Sequence, residues 1–209
     1  MDFVDRENCG ALRPGACRFV SPAHARGGGP TPFTFPLVRS PALNAVPDCV
    51  ADASGTVTIT PGGPVEVMTV RVTGLPSNTD FDFFVIQQPN GPFGMSWYQG
   101  DIETNVNGVG SAKFIGRFSI ETFVVAPGSV PAPVTFENAF PSASLNPPTD
   151  PIQMYHLGLW FNSPDDAANA GCPSSVTPFN GEHNAGVQVL NTSNFPDLQG
   201  PLINVQSSQ

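Results

Sequence analysis

The sequence predicts an all-β protein, an antiparallel β-sandwich over residues 51–209 preceded by a long Pro/Gly-rich arm over residues 1–50. Three observations carry that expectation. Residues 65–73 alternate, with Met68, Val70 and Val72 on one face and Thr69, Arg71 and Thr73 on the other, which is the period of a half-buried strand. Residues 81–87 are apolar on both faces, with Phe81, Phe83 and Val85 opposed to Phe84 and Ile86, as in a strand covered from both sides. The 209 residues include 24 Pro, 21 Gly and 16 Phe. Abundant aromatic and β-branched residues oppose disorder, so the Pro and Gly read as connections between many short strands.

Each element follows in order. Arg26-Gly-Gly-Gly-Pro-Thr-Pro32 is a linker within the arm. Phe33, Phe35, Leu37 and Val38 form a short edge strand, because Pro36 among them cannot donate to a ladder. Residues 56–60 form a strand and 61–64 a turn. The strand at 65–73 turns through Gly74-Leu-Pro-Ser-Asn-Thr79 into the strand at 81–87. After a loop at 90–94, strands at 97–104 and 110–120 flank Asn107-Gly108. That dipeptide signals a two-residue hairpin, since Asn-Gly readily takes positive φ. Residues 121–126 continue the β pattern and 127–151 form a long Pro-rich excursion. Residues 152–161 make a strongly apolar strand. Ser163-Pro-Asp-Asp opens a helix with a capping hydroxyl, a proline in the first turn and two acids at the positive dipole end. Gly171 ends it, and residues 176–190 read as a hairpin turning at Asn180-Gly181.

The net charge is −9, and it is uneven. Residues 1–40 carry five arginines against three acids, whereas the remainder carries three basic residues against fourteen acidic ones. An acidic body disfavours nucleic acid and anionic membrane as partners. No apolar run is long enough for a membrane helix. The cysteines, Cys9, Cys17, Cys49 and Cys172, match no CxxC or zinc spacing. Of the three possible connectivities, Cys9–Cys17 with Cys49–Cys172 is favoured, a local loop and a long-range staple. Disulfides imply an oxidising compartment; four free thiols inside a cell are the alternative. Residues 1–25 contain no apolar leader run, although Ser21-Pro-Ala-His-Ala25 ends in a small-x-small pattern. The expected location is the cell exterior or surface.

Candidate chemistry is sparse. His156, Glu182 and His183 would offer mixed nitrogen and oxygen ligands to a metal if the strands at 152–161 and 187–190 were neighbours. Their spacing matches no known signature, and a turn decoration with a hydrogen-bonded strand histidine is the preferred reading. No Gly-x-Ser-x-Gly elbow supports a nucleophile. Asp101, Glu103 and Glu121 are the candidate carboxylates for sugar hydrolysis, but Asp101 and Glu103 alternate with Ile102 and face solvent together. The Asp101-to-Gly108 run is superficially like a calcium loop, yet Ala112 stands where the closing Glu belongs. Trp160 reads as core. Trp97 and Tyr98, with Asp101, are the best candidates for stacking on sugar rings.

The segment Gly74-Leu-Pro-Ser-Asn-Thr-Asp-Phe81 resembles the corner of fibronectin type III and related immunoglobulin-like domains, where a Gly-Leu-x-Pro-x-Thr-x-Tyr run leads into a core strand. Phe81 replaces the tyrosine, so the corner hydroxyl bond is absent. The resemblance implies an immunoglobulin-like sandwich, with a jelly roll as the alternative. The run His156-Leu-Gly-Leu-Trp-Phe-Asn-Ser-Pro164, Gly171-Cys172 and Thr177-Pro-Phe-Asn-Gly-Glu-His-Asn-Ala-Gly186 is similar to one in uncharacterised bacterial exported proteins. It implies the cell exterior and no particular activity.

These readings lead to a non-catalytic structural or interaction module outside the cell. Strand addition of the arm at Phe33–Val38 to a sheet edge is its route to self-assembly or filaments. The alternative is a carbohydrate-binding module at Trp97, Tyr98 and Asp101. Expected partners are copies of itself, other cell-surface proteins or a glycan. No cofactor, nucleic acid or membrane insertion is expected.

Overall fold

The computed structural model describes residues 31–120, 122–125, 151–197 and 199–205. The strands are β1 (Phe33–Arg39), β2 (Ser54–Pro61), β3 (Glu66–Thr73), β4 (Asp80–Ile86), β5 (Ser96–Glu103) and β6 (Gly110–Gly116). They continue with β7 (Val124–Val125), β8 (Pro151–Ile152), β9 (His156–Phe161) and β10 (Gln188–Asn191), and one helix, α1 (Pro164–Asn169), lies between the last two strands. Eight strands form one antiparallel ladder in the order β5-β4-β9-β10-β1-β2-β3-β6, while β7 and β8 pair separately. The all-β, antiparallel expectation holds.

Strand β1 folds the ladder into two layers. Residues 33–37 pair with β2, whereas Val38 and Arg39 pair with β10. The terminal strands β5 and β6 come back beside one another and are joined by a bridge between Thr104 and Gly110, so the sheet is nearly closed. Alternation places Val57, Ile59, Met68, Val70 and Val72 of one layer against Phe81, Phe83, Leu157, Leu159 and Phe161 of the other, all fully buried. Each such side chain contributes about 1.5–3 kcal/mol relative to exposure. Phe83 also stacks on Phe114 of β6 with ring centres 5.6 Å apart.

Three expectations are corrected. Phe33, Phe35, Leu37 and Val38 are not an edge strand in a separate arm. They lie in β1 within the main ladder, Phe33 to Leu37 paired with β2 and Val38 with β10, and Phe35 and Leu37 are in the core. Pro36 is accommodated within the pairing to β2. The sandwich therefore begins at least at residue 33 rather than 51. Residues 152–161 are not one strand but two, β8 and β9. The Asn107-Gly108 turn exists, with Gly108 at φ +68, but it joins strands of different layers. Asn105 shapes it, its side-chain oxygen accepting from the N–H groups of Asn107 and Val109.

The staple between Cys49 and Cys172 is present, closing a sequence separation of 123 residues. It ties the β1–β2 connection to the chain just after α1. Arg39 reinforces the same connection by donating to the carbonyls of Leu43, Val46 and Cys49. Cys9, Cys17 and the rest of the arm before residue 31 lie outside the described residues. At the Gly74 corner φ is +71, and a Cβ there would meet Asp52 O at 2.1 Å. With no tyrosine, the buried Thr104 hydroxyl secures the corner: it donates to Pro76 O at 2.6 Å and accepts from Thr79 N–H at 2.9 Å. Helix α1 starts as its sequence predicts, with Ser163 Oγ accepting from Asp166 N–H and donating to Asp166 Oδ2.

Candidate functional site

Strand β4 is apolar on both faces because both are covered. Its odd residues enter the main core. Phe84 and Ile86 on the other face join Trp160 and Ala185 in a second, smaller cluster, with Phe93 and Phe179 packed against it. Trp160 sits at its centre, edge-on to Phe84 and Phe93 at 5.3 and 5.1 Å. Asp82 lies on this outer face, opposite Trp160 of β9 on one side and Asp101 of β5 on the other.

A bulge in β5 builds the site. Gly100 pairs with Phe83 and Tyr98 with Phe84, so Gln99 is an extra residue. In a regular strand Tyr98 and Asp101 would face opposite ways. The bulge brings them to one face, and the Tyr98 hydroxyl donates to Asp101 Oδ1. Gly100 has φ +142, and a Cβ there would stand 2.8 Å from the Phe114 ring. The position thus needs glycine for conformation and for close approach.

The resulting cleft, of about 620 Å³, is bordered by Asp80, Asp82, Tyr98, Asp101, Asn162, Phe179, Asn180 and Glu182. Asn180 holds its rim: Nδ2 donates to Asn162 O at 2.9 Å and Oδ1 accepts from Asn184 N–H at 2.8 Å. Asp82 is only 2% exposed, and its Oδ2 has no hydrogen-bond partner. Burial, then the negative charges of Asp101 and Asp80, push its carboxyl up to about 7, and a hydrogen bond from Asn180 opposes them. Asp80 is raised too, by burial first and then by the charge of Asp101, with Glu103 and Asp166 adding to it and the Phe81 N–H opposing. Burial and the bond to Asp101 also raise the Tyr98 phenol. Glu66 Oε1 and Ser119 Oγ are likewise buried without partners, but Glu66 Oε2 accepts from Phe118 N–H at 2.7 Å and neither residue borders this cleft. Chemically, the cleft offers one buried carboxylate, three more that reach solvent, two amides and two aromatic walls.

The structure divides the expected sugar-stacking trio. Tyr98 and Asp101 share the cleft. Trp97, 59% exposed, faces the other way into a groove with Val85, Ile115, Phe118, Phe123 and Met154. The three expected metal ligands are also separated. Glu182 and His183 belong to the turn held by Asn180 beside Asn162, just past the end of β9, whereas His156 begins that strand. Six strand residues span about 20 Å. His156 is fully buried with both ring nitrogens engaged, Nδ1 with Thr192 Oγ1 at 2.8 Å and Nε2 with Pro196 O at 3.1 Å. His183 takes φ +58 in the turn. Among the described residues, no three His, Cys, Asp or Glu are placed to hold a metal ion. The expected hairpin at 176–190 is reduced to one bridge, Thr177 to Ala185, followed by β10. Glu121 lies outside the described residues.

Asp80, Asp82, Asn162, Phe179 and Asn180 were not expected at a site. One sequence signal could have found Asp82: a carboxylate interrupting a run that is apolar on both faces is buried wherever it points. A second, Gly100 inside a strand pattern, marks the bulge. Compared with known protein families, curated proteins and solved structures, the chain matches none.

Proposed function

We propose that this chain is a non-catalytic, extracellular interaction module that binds carbohydrate in the Asp82 cleft. The observation that carries the reading is Asp82 itself, a buried carboxylate with an unpartnered oxygen, bordering a cleft walled by Tyr98 and Phe179. A sugar supplies hydroxyl donors for such an oxygen and C–H faces for aromatic rings, and charged acceptors make the stronger hydrogen bonds. The Cys49–Cys172 bridge supports an oxidising location. No helix among the described residues is long and apolar enough to cross a membrane.

Calorimetric titration with a panel of soluble oligosaccharides tests the reading. Binding is expected to at least one class, to be lost in Asp82→Asn and Tyr98→Ala, and to persist in Trp97→Ala. Loss in Trp97→Ala alone would move the site to the groove between β5 and β6. Silence across the panel removes the carbohydrate reading, and release of shortened oligomers on incubation removes the non-catalytic one.

A further inference from the structure

The charge of the cleft narrows the ligand. Four of its bordering side chains are carboxylates, from β4 (Asp80, Asp82), β5 (Asp101) and the turn at residue 182 (Glu182), and none is Lys, Arg or His. The charges acting on Asp82 are those of Asp101, Asp80 and Glu182, all negative, and Asp80 also feels Asp166 of α1. From β5, Tyr98 adds a phenol already bonded to Asp101. From β9, Trp160 adds an indole N–H that is buried without a partner. The described lining thus gathers three solvent-reaching carboxylates around the one that is buried, Asp82, and contributes no Lys, Arg or His to balance them. A desolvated carboxylate without a counter-charge is costly, and it ordinarily persists only where something else compensates it.

We propose, building on the carbohydrate reading, that the ligand is an amino sugar carrying a free primary amine, whose ammonium group docks against Asp82 among these carboxylates. The second observation beyond the acidic cluster is Asp82 itself, a cleft-lining side chain more than nine-tenths buried that keeps one oxygen without a partner. A bare metal ion fits less well, because the described acids are too dispersed to form a common coordination shell. An ammonium on a sugar ring suits dispersed acceptors: three N–H donors meet one or two carboxylates, ring hydroxyls reach the others and Asn180, and the ring face lies on an aromatic wall.

The test compares glucosamine oligomers with N-acetylglucosamine oligomers of equal length, near pH 7, by calorimetry. The free-amine oligomer is expected to bind at least about tenfold more tightly, and its advantage should shrink between about 0.02 and 0.3 M salt as the ionic contribution is screened. Asp82→Asn should abolish the advantage, and Glu182→Gln, on an exposed turn where folding is not at issue, should reduce it. Equal binding of the two oligomers overturns the amine inference while the carbohydrate reading stands. Binding of neither, with none from neutral sugars, removes both. Poly-lysine binding as tightly as the amine oligomer, and competing with it, would assign the cleft to basic peptides instead and overturn the proposal.

Discussion

Strand β9 connects two buried polar regions that behave oppositely. At its start, His156 bonds through both ring nitrogens, and Thr192 also accepts the Leu157 N–H. Midway along the strand, beside Gly158, Gln188 accepts from Ser40 and Asn191 and donates to Pro89 O, which Asn191 contacts as well. At its far end, Asp82 and the Trp160 indole are buried with an atom each left over. Both regions are desolvated to a similar degree, so burial does not separate them. Completeness of partnering does. A satisfied buried network specifies structure, whereas an unsatisfied buried group requires an explanation, which the proposed ligand would supply for Asp82.

Experiments can sharpen that contrast in order of expected effect. Removing the covalent tie with Cys49→Ala and Cys172→Ala should cost about 5 kcal/mol in denaturant unfolding, from the loop entropy of a 123-residue separation, and should weaken both regions together. Asp82→Asn should act in the opposite direction. The carboxyl rises from 3.8 unfolded to about 7 folded, so its stability contribution is full below the unfolded value and is lost as pH climbs to the folded one. The variant should therefore be more stable than the parent above pH 7, by up to about 4 kcal/mol, and indistinguishable from it near pH 3. A variant less stable at every pH would show that Asp82 is structural.

Gln188→Ala should destabilise by about 3 kcal/mol, because it strips partners from Ser40 and Asn191, both fully buried. If it costs nothing, the network is not what holds that end of the sheet. His156 gives a smaller, pH-dependent effect of opposite sign to Asp82. Burial lowers its pKa, so its contribution is present above the unfolded value of about 6.5 and declines as pH falls below it. In His156→Gln that acid-side decline should be shallower in thermal melts. The smallest effect belongs to Trp97→Ala, which should leave ligand binding unchanged while removing exposed apolar surface from the β5–β6 groove.

The fold was largely legible in the chain. The alternation of Met68, Val70 and Val72 identified a half-buried strand, and Ser163-Pro-Asp-Asp identified a helix start, because period and capping are local properties. The place of β1 was not legible. Phe33-Thr-Phe-Pro-Leu-Val reads as an edge by its proline, yet its neighbours in the ladder are β2 and β10, the latter about 150 residues away. The candidate site was half legible: Tyr98 and Asp101 could be named, but their union depends on one bulged residue that reverses the face of everything after it.

By itself, then, the sequence determined the β class, the corner glycine at Gly74, the helix cap at Ser163 and a disulfide-compatible Cys49 and Cys172, each of which depends on residue type and near neighbours. Tertiary structure alone decided which strands became neighbours, that Tyr98 and Asp101 come to one face, that His156 is separated from Glu182 and His183, and that Asp82 is buried with a free oxygen at the edge of a cleft. The physical reason is that pairing register and desolvation are set jointly by segments far apart in the chain, and no local pattern encodes what the opposite strand will bring.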